Sequence, residues 1–185
     1  VEWQHALEKG EECNAVALTK KGEILYSYKR GAKLVTWDHQ VVWDYKTPDK
    51  TELQSATLLQ NGGVLLGICG IPAQFIELDK KGKEVNKVTL DLEVERPHSQ
   101  FRQVFQLRNS NYLIPVMAKQ KVLEVSRKGK IIAEHQIEGK AFSSLELPDG
   151  NLLLPCGDNH YYIVIDRKTG EELKRVNALD IEGVA

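Results

Sequence analysis

The chain has 185 residues, with 25 Lys plus Arg against 26 Asp plus Glu, and so a formal net charge of −1. That balance excludes a strongly basic groove for nucleic acid or a polybasic face for an anionic membrane as the main working surface. The 42% apolar and 28% charged composition excludes disorder, no apolar run is long enough to span a membrane, and the length suits one domain with a substantial core.

In chain order, residues 1–5 (Val-Glu-Trp-Gln-His) align with 41–45 and are expected to form the last strand of a preceding unit. The stretch 15–26 then recurs at 55–66, 103–114 and 143–154. In that register Leu25, Leu65, Leu113 and Leu153 share a column, and Gly22, Gly62 and Gly150 share another in which Ser110 is the exception. The second half of each unit repeats as well. Runs at 34–38, 75–79, 122–126 and 162–166 end at turn residues, and Gly82, Gly129 and Gly170 close three of those turns. Further runs follow at 40–45, 83–88, 130–137 and 171–176, and residues 181–185 read as the entry to another first strand. Val1-Glu-Trp begins no signal peptide, so a leader, if the protein is exported, is expected to have been removed.

Each unit is thus four short runs rich in Val, Ile, Leu and Tyr, joined by turn-forming clusters, which predicts antiparallel strands and no long helix. Four antiparallel strands per ~40–48 residues is the period of a β-propeller blade. An isolated four-stranded sheet with two apolar faces must be covered on both, which explains runs such as Val64-Leu65-Leu66 and Leu152-Leu153-Leu154 that do not alternate with charge. The expectation is an all-β protein of four blades (14–45, 54–88, 102–137 and 143–176) plus partial strands at both ends, a segment of a larger propeller. The four column leucines are expected to be buried between blades.

Cys13, Cys69 and Cys156 form no CxxC pair and lack zinc-ribbon spacing. They read as free thiols, with pairing of two of them left open.

The turn 166–171 (Asp-Arg-Lys-Thr-Gly-Glu), the outer-strand Trp3 and Trp43, and the segments 12–14, 51–56, 67–70 and 97–102 carry a resemblance over essentially the whole chain. The chain is similar to secreted propeller proteins of Bacteroides type with quinoprotein-like (pyrroloquinoline-quinone-like) repeats, often labelled surface-layer proteins. The resemblance implies a secreted or periplasmic location. The outer-strand Trp is missing elsewhere (Asn86, Ala133 and Lys174 stand there), and no adjacent cysteines or calcium-binding carboxylate cluster is present, so no cofactor and no metal are expected.

Strand alternation places the inter-blade linkers and the loops between second and third strands at one end. The column opening each innermost strand holds Asn14, Gln54, Arg102 and Phe142, and two positions earlier stand Glu12, Glu52, Gln100 and Lys140. Polar, varying residues in a repeat position suit a funnel mouth. Arg102, permanently charged, is the expected anchor for an anionic group, unless it pairs with a linker carboxylate such as Glu52 or Glu95. His98 beside Arg102 suits an acid–base and anion-binding pair, or a linker histidine bonded to backbone. Lys29 and Arg30 suit anion docking or a solvated loop. His160 belongs to the same end and is counted with Asn14, Gln54, Arg102, Lys29 and Arg30 as ligand-binding; with Asp158 it makes half a metal site at most. His5, His39 and His135 suggest no role. Two functions compete: a non-catalytic propeller binding a small molecule, glycan or protein at the funnel face, or a propeller enzyme of sulfotransferase, lyase or glycan-processing type using His98 and Arg102.

Overall fold

The computed structural model describes residues 3–178. They form sixteen strands in four antiparallel meanders, each with its strands in sequence order. The first blade holds β1 (Cys13–Leu18), β2 (Ile24–Tyr28), β3 (Gly31–Val35) and β4 (Val41–Lys46). The second holds β5 (Glu52–Leu58), β6 (Val64–Cys69), β7 (Ala73–Leu78) and β8 (Glu84–Leu90). The third holds β9 (Phe105–Gln106), β10 (Tyr112–Val116), β11 (Lys121–Val125) and β12 (Ile131–Gln136). The fourth holds β13 (Leu145–Glu146), β14 (Leu152–Cys156), β15 (Tyr161–Ile165) and β16 (Glu172–Asn177). The helical turns are short 3₁₀ segments, Pro97–Ser99, Met117–Lys119 and Gly157–Asn159, with a further 3₁₀ position at Ala178, and no helix among the described residues is long and apolar enough to cross a membrane. The blades fall by twos into two compact units that divide between His98 and Ser99. The architecture is that of β-propeller blades, as the repeat predicts.

Burial follows strand position. The second strands β2, β6 and β10 are buried along their whole length, whereas the outer strands β4, β8, β12 and β16 are largely exposed. In the first unit Leu25, Leu34 and Trp43 of one blade join Leu53, Leu66, Ile68 and Ile76 of the next in one core. The other face of the first blade buries Ile24, Tyr26, Tyr28 and Val35 beneath Trp3 and Leu7. Residues 3–8 form no strand; they lie on that face as irregular chain, in place of the strand expected at 1–5. Residues 181–185 lie outside the described residues. The second unit has its own core, with Leu113 and Val122 against Leu152, Leu154, Cys156, Ile163 and Ile165.

The leucine column holds at three of four places. Leu25, Leu65 and Leu113 are at most 1% exposed, but Leu153 is only half-buried. Leu152 and Leu154 face the third blade, so alternation turns Leu153 to the opposite face of the sheet. All three thiols are free, Cys13 exposed and Cys69 and Cys156 buried; burial pushes the Cys156 thiol up to about 11.

Turn and ladder details recur with the repeat. Gly22, Gly62 and Gly150 have positive φ, and Ser110 takes the same left-handed conformation at 68°. In the turns after each third strand, Gly82, Gly129 and Gly170 are left-handed and His39 fills that slot in the first blade at 67°. Every blade skips one residue between its third and fourth strands, and the skipped residues Val42, Val85, Ile132 and Leu173 are exposed. Such bulges increase strand twist.

The innermost strand shortens from six and seven residues in β1 and β5 to two in β9 and β13. Ser27 and Gly67, which pair with Ala15 and Ser55, are replaced in the leucine-column register by Pro115 and Pro155. Proline has no N–H to give the inner ladder, which ends before it.

Blade junctions are built differently in the two units. In the first, Gly82 of the second blade lies so close to the Trp43 ring that a Cβ would come within 2.6 Å of it. In the second, Gly170 approaches the His135 ring in the same way, and His135 Nε2 bonds the Arg167 carbonyl at 2.8 Å. Arg167 then reaches across: Nε and Nη2 donate to both oxygens of Glu124 at 2.8 and 2.7 Å, and Nη1 donates to Glu146 at 3.0 Å. Burial pushes the Glu124 carboxyl up, but hydrogen bonds from Arg167, Asn109 and Asn111 outweigh it and bring the group down to about 2.

Two outcomes follow for stability. Leu25→Ala should cost ~2–5 kcal/mol and Leu153→Ala less than ~2 kcal/mol in denaturant unfolding, because only the first leaves a closed cavity. The folded-state value of Glu124 lies below its ordinary 4.5, so its stabilisation is complete above that pH and is lost as pH falls toward about 2. Thermal unfolding of Arg167→Met across that window should lose this part of the acid slope and should show a protein weaker by ~3 kcal/mol at neutral pH, since Glu124 is left buried without its cation.

Candidate functional site

In the first unit the linker end is organised by two β-bulges. The β1–β2 ladder skips Asn14 and the β5–β6 ladder skips Gln54, so both column residues leave the pairing pattern at equivalent places. Bulges re-aim side chains. Asn14 Nδ2 donates to the Leu53 carbonyl at 2.6 Å, tying one innermost strand to the next, and Gln54, 5% exposed, donates to Glu52 Oε2 at 3.3 Å.

Glu52, at the first position of β5, is the hub. Lys29 Nζ from the β2–β3 loop lies 3.3 Å from Oε1, and His98 Nδ1 from the 3₁₀ turn Pro97–Ser99 lies 2.9 Å from Oε2. Burial raises the Glu52 carboxyl, but hydrogen bonds from His98 and Lys29 more than offset it and leave the group below the usual carboxylate range. The His98 and Lys29 side chains are 61% and 46% exposed, so the carboxylate is set back while its two partners face solvent. Beside them Arg30 and Glu11 form a close ion pair through Nε and Oε1, and the Lys29 and Arg30 carbonyls accept from Leu53 and Thr47 amides.

In the second unit Arg102 is half-buried, and its Nη1 donates to the Phe101 carbonyl at 3.2 Å. The buried Gln100 offers its carbonyl to Met117 N at 2.8 Å, and Gln103 N donates to the Phe142 carbonyl at 3.1 Å. Lys140 takes Asp158 at 3.1 Å. His160 sits in left-handed conformation after the turn Gly157–Asn159, and its carbonyl accepts Ala178 N at 2.7 Å. Among the contacts described, His98 Nδ1 meets Glu52 and Arg102 Nη1 meets the Phe101 carbonyl.

Two features were not anticipated. A recess of about 610 Å³ lies at the opposite, tight-turn end of the second unit, walled by 149–151 and 166–168, with Glu124 and Arg167 among its lining residues. Both of those are committed to the blade junction. The other feature is a stack of rings at the edge of the first blade. Trp3 lies nearly parallel to His5 and to His39, at 5.8 and 5.1 Å between centroids. His5 Nε2 meets Tyr26 Oη at 2.9 Å. Burial, then the neighbouring His39 and Lys33, lower the basicity of His5. No group of three or more His, Cys, Asp or Glu converges for a metal among the described residues.

Solved structures place these blades in context. A protein of unknown function from Bacteroides caccae is 41% identical, with a TM-score of 0.93 over 98% of this chain and 66% of that one. Virginiamycin B lyase from Staphylococcus aureus is 16% identical, with a TM-score of 0.66 over 89% of this chain and 55% of that one. The Neurospora crassa Pan2 WD40 domain is 14% identical, with a TM-score of 0.63 over 89% and 52%. The last two are likenesses of fold alone. This chain spans less than two thirds of the length of each of them. No curated protein is similar enough to match. The family model of Mal s 1 allergenic protein-like proteins matches residues 1–185, and the chain belongs to that family.

Proposed function

We propose that the chain is a non-catalytic binding propeller of the bacterial envelope, secreted or periplasmic, that holds an anionic small molecule, a glycan or a protein at the linker end of its blades. The observation that carries this reading is the Glu52 hub. Two exposed cationic or protonatable side chains, Lys29 and His98, come from separate segments and are oriented by one recessed carboxylate. Such an arrangement presents donors to a ligand without paying side-chain entropy at the moment of binding. In the second unit Arg102, whose guanidinium is always charged and forks toward carboxylate, sulfate or phosphate, is the anchor we assign. The kinship with the Bacteroides caccae protein supports a bacterial setting, and Gly82 packed on the Trp43 ring of the preceding blade supports the quinoprotein-like character of the repeats.

One observation favours a second reading. A carboxylate 2.9 Å from His Nδ1 fixes the imidazole's orientation and tautomer, as the acid member does in His-based acid–base pairs. His98 would then move a proton through Nε2 in a lyase-type or glycan-processing reaction.

The two are separated by binding and turnover measured together on a panel of sulfated and unsulfated glycans. Binding without product, weakened about tenfold (~1.4 kcal/mol) by Lys29→Ala or Arg102→Ala, is the expected result. Product formation abolished by His98→Ala and strongly reduced by Glu52→Gln would establish the enzyme instead. Affinity unchanged in both Lys29→Ala and Arg102→Ala would refute binding at this end.

A further inference from the structure

Residues 3–8 form no strand, yet they are fastened to the first blade at several points. Trp3 and Leu7 pack on the apolar face made by Ile24, Tyr26, Tyr28 and Val35. Trp3 Nε1 donates to the Trp37 carbonyl at 3.1 Å, and the indole stacks within 14° of parallel on both His5 and His39. His5 has two partners: Tyr26 Oη lies 2.9 Å from its Nε2, and Nδ1 of His39, in the turn between β3 and β4, lies 3.4 Å from its Nδ1.

The two Nδ1 atoms point at each other, so one hydrogen bond joins the rings: one nitrogen carries the hydrogen and the other offers its lone pair. Burial, first of all, raises the Tyr26 phenol to about 12, so it stays neutral and can give its hydrogen to Nε2 of a neutral His5. With both rings protonated each Nδ1 carries a hydrogen, and no acceptor is left between them. We propose that residues 3–8 are a pH-released strap, latched over the first blade by the His5–His39 hydrogen bond and detached when both rings are protonated.

The surroundings oppose protonation of the pair. Lys33, Lys46, Tyr28, Glu8 and Glu11 line the same recess as His5. Glu11 is already paired with Arg30, and Asp44 with Lys33 at 3.4 Å. The Asp38 carboxylate, next to His39 in the turn, accepts from the Thr36 hydroxyl. Burial, then His39 and Lys33, lower the basicity of His5. Its folded-state value therefore lies below the ordinary 6.5, so the hold of the strap is full above that pH and is lost as pH falls through the lowered value. Release uncovers Tyr26 and Tyr28, each 5% exposed while the strap is closed.

The turn residue fits this role. His39 occupies, at φ 67°, the left-handed slot that glycine fills in the other three blades. The blade that puts histidine in this unfavourable conformation is the one on which residues 3–8 lie.

An imidazole that takes no proton while the strap is closed, and takes one at its ordinary value once it opens, raises the open population roughly tenfold between about pH 7.5 and 5.5. The Trp3 indole N–H reports opening, because closure hydrogen-bonds it to the Trp37 carbonyl. Its exchange with water is followed by nitrogen-edited NMR of the full chain, assigned with Trp3→Phe and corrected for the intrinsic rate of a free indole. Slow amide exchange in β6 checks that the blades stay folded. Wild type should open at least roughly tenfold more at the lower pH. His5→Gln and His39→Asn, the latter keeping a residue that tolerates the left-handed turn, should both exchange faster than wild type at the higher pH and change by less than about threefold across the window. A wild-type change below about threefold, or a change as large as that of wild type in either folded variant, would overturn the proposal.

Discussion

A four-stranded sheet whose central strands are apolar on both faces cannot stand alone in water, and the rest of this structure is arranged around that requirement. Strands β6 and β10 carry apolar side chains to both sides, so each face must meet another layer. Within the first unit one face of the first blade meets the second blade through Leu25, Leu34 and Trp43, and the other is covered by Trp3 and Leu7. Within the second unit Leu113 and Val122 meet Leu152, Leu154 and Ile163. Within each unit the turns and bulges serve to bring one sheet against the next.

The same junction is solved twice with different chemistry. In the first unit an indole fills the space beneath the Asp79–Gly82 turn. In the second the indole position is Ala133, and a guanidinium bridging two carboxylates spans the gap, with the His135 ring beneath the turn glycine. An apolar contact is indifferent to pH, whereas the Arg167–Glu124 link depends on an ionised carboxylate. The two junctions therefore depend differently on carboxylate ionisation although their backbones repeat.

The repeat was legible because burial on two faces writes itself into sequence as continuous apolar runs, and because left-handed turns write themselves as glycine. The Ser110 exception illustrates the physics: the turn is kept at φ 68° although the usual residue is not. Leu153 was misjudged as buried because alternation gives spacing within a strand but not what lies opposite it. Asn14 and Gln54 were recognised as polar and in register. That their bulges turn the amides toward neighbouring main chain and Glu52 has no periodic signature. The Glu52–His98 contact joins residues 46 positions apart, and the His5–His39 pair joins residues 34 apart. In each pair one partner, His98 or His5, lies on chain outside the repeating strands, where the repeat itself carries no information. The shortened β9 and β13 were visible in principle, since Pro115 and Pro155 replace Ser27 and Gly67 in register.

Amide hydrogen exchange followed by mass spectrometry tests the two-faced-sheet account most directly, strand by strand. The account predicts the slowest exchange in β6, β7, β10 and β11, fast exchange in β12 and β16, and clearly weaker protection of β9 and β13 than of β5. Equal protection of β9 and β5, or outer strands as slow as the central ones, would contradict it.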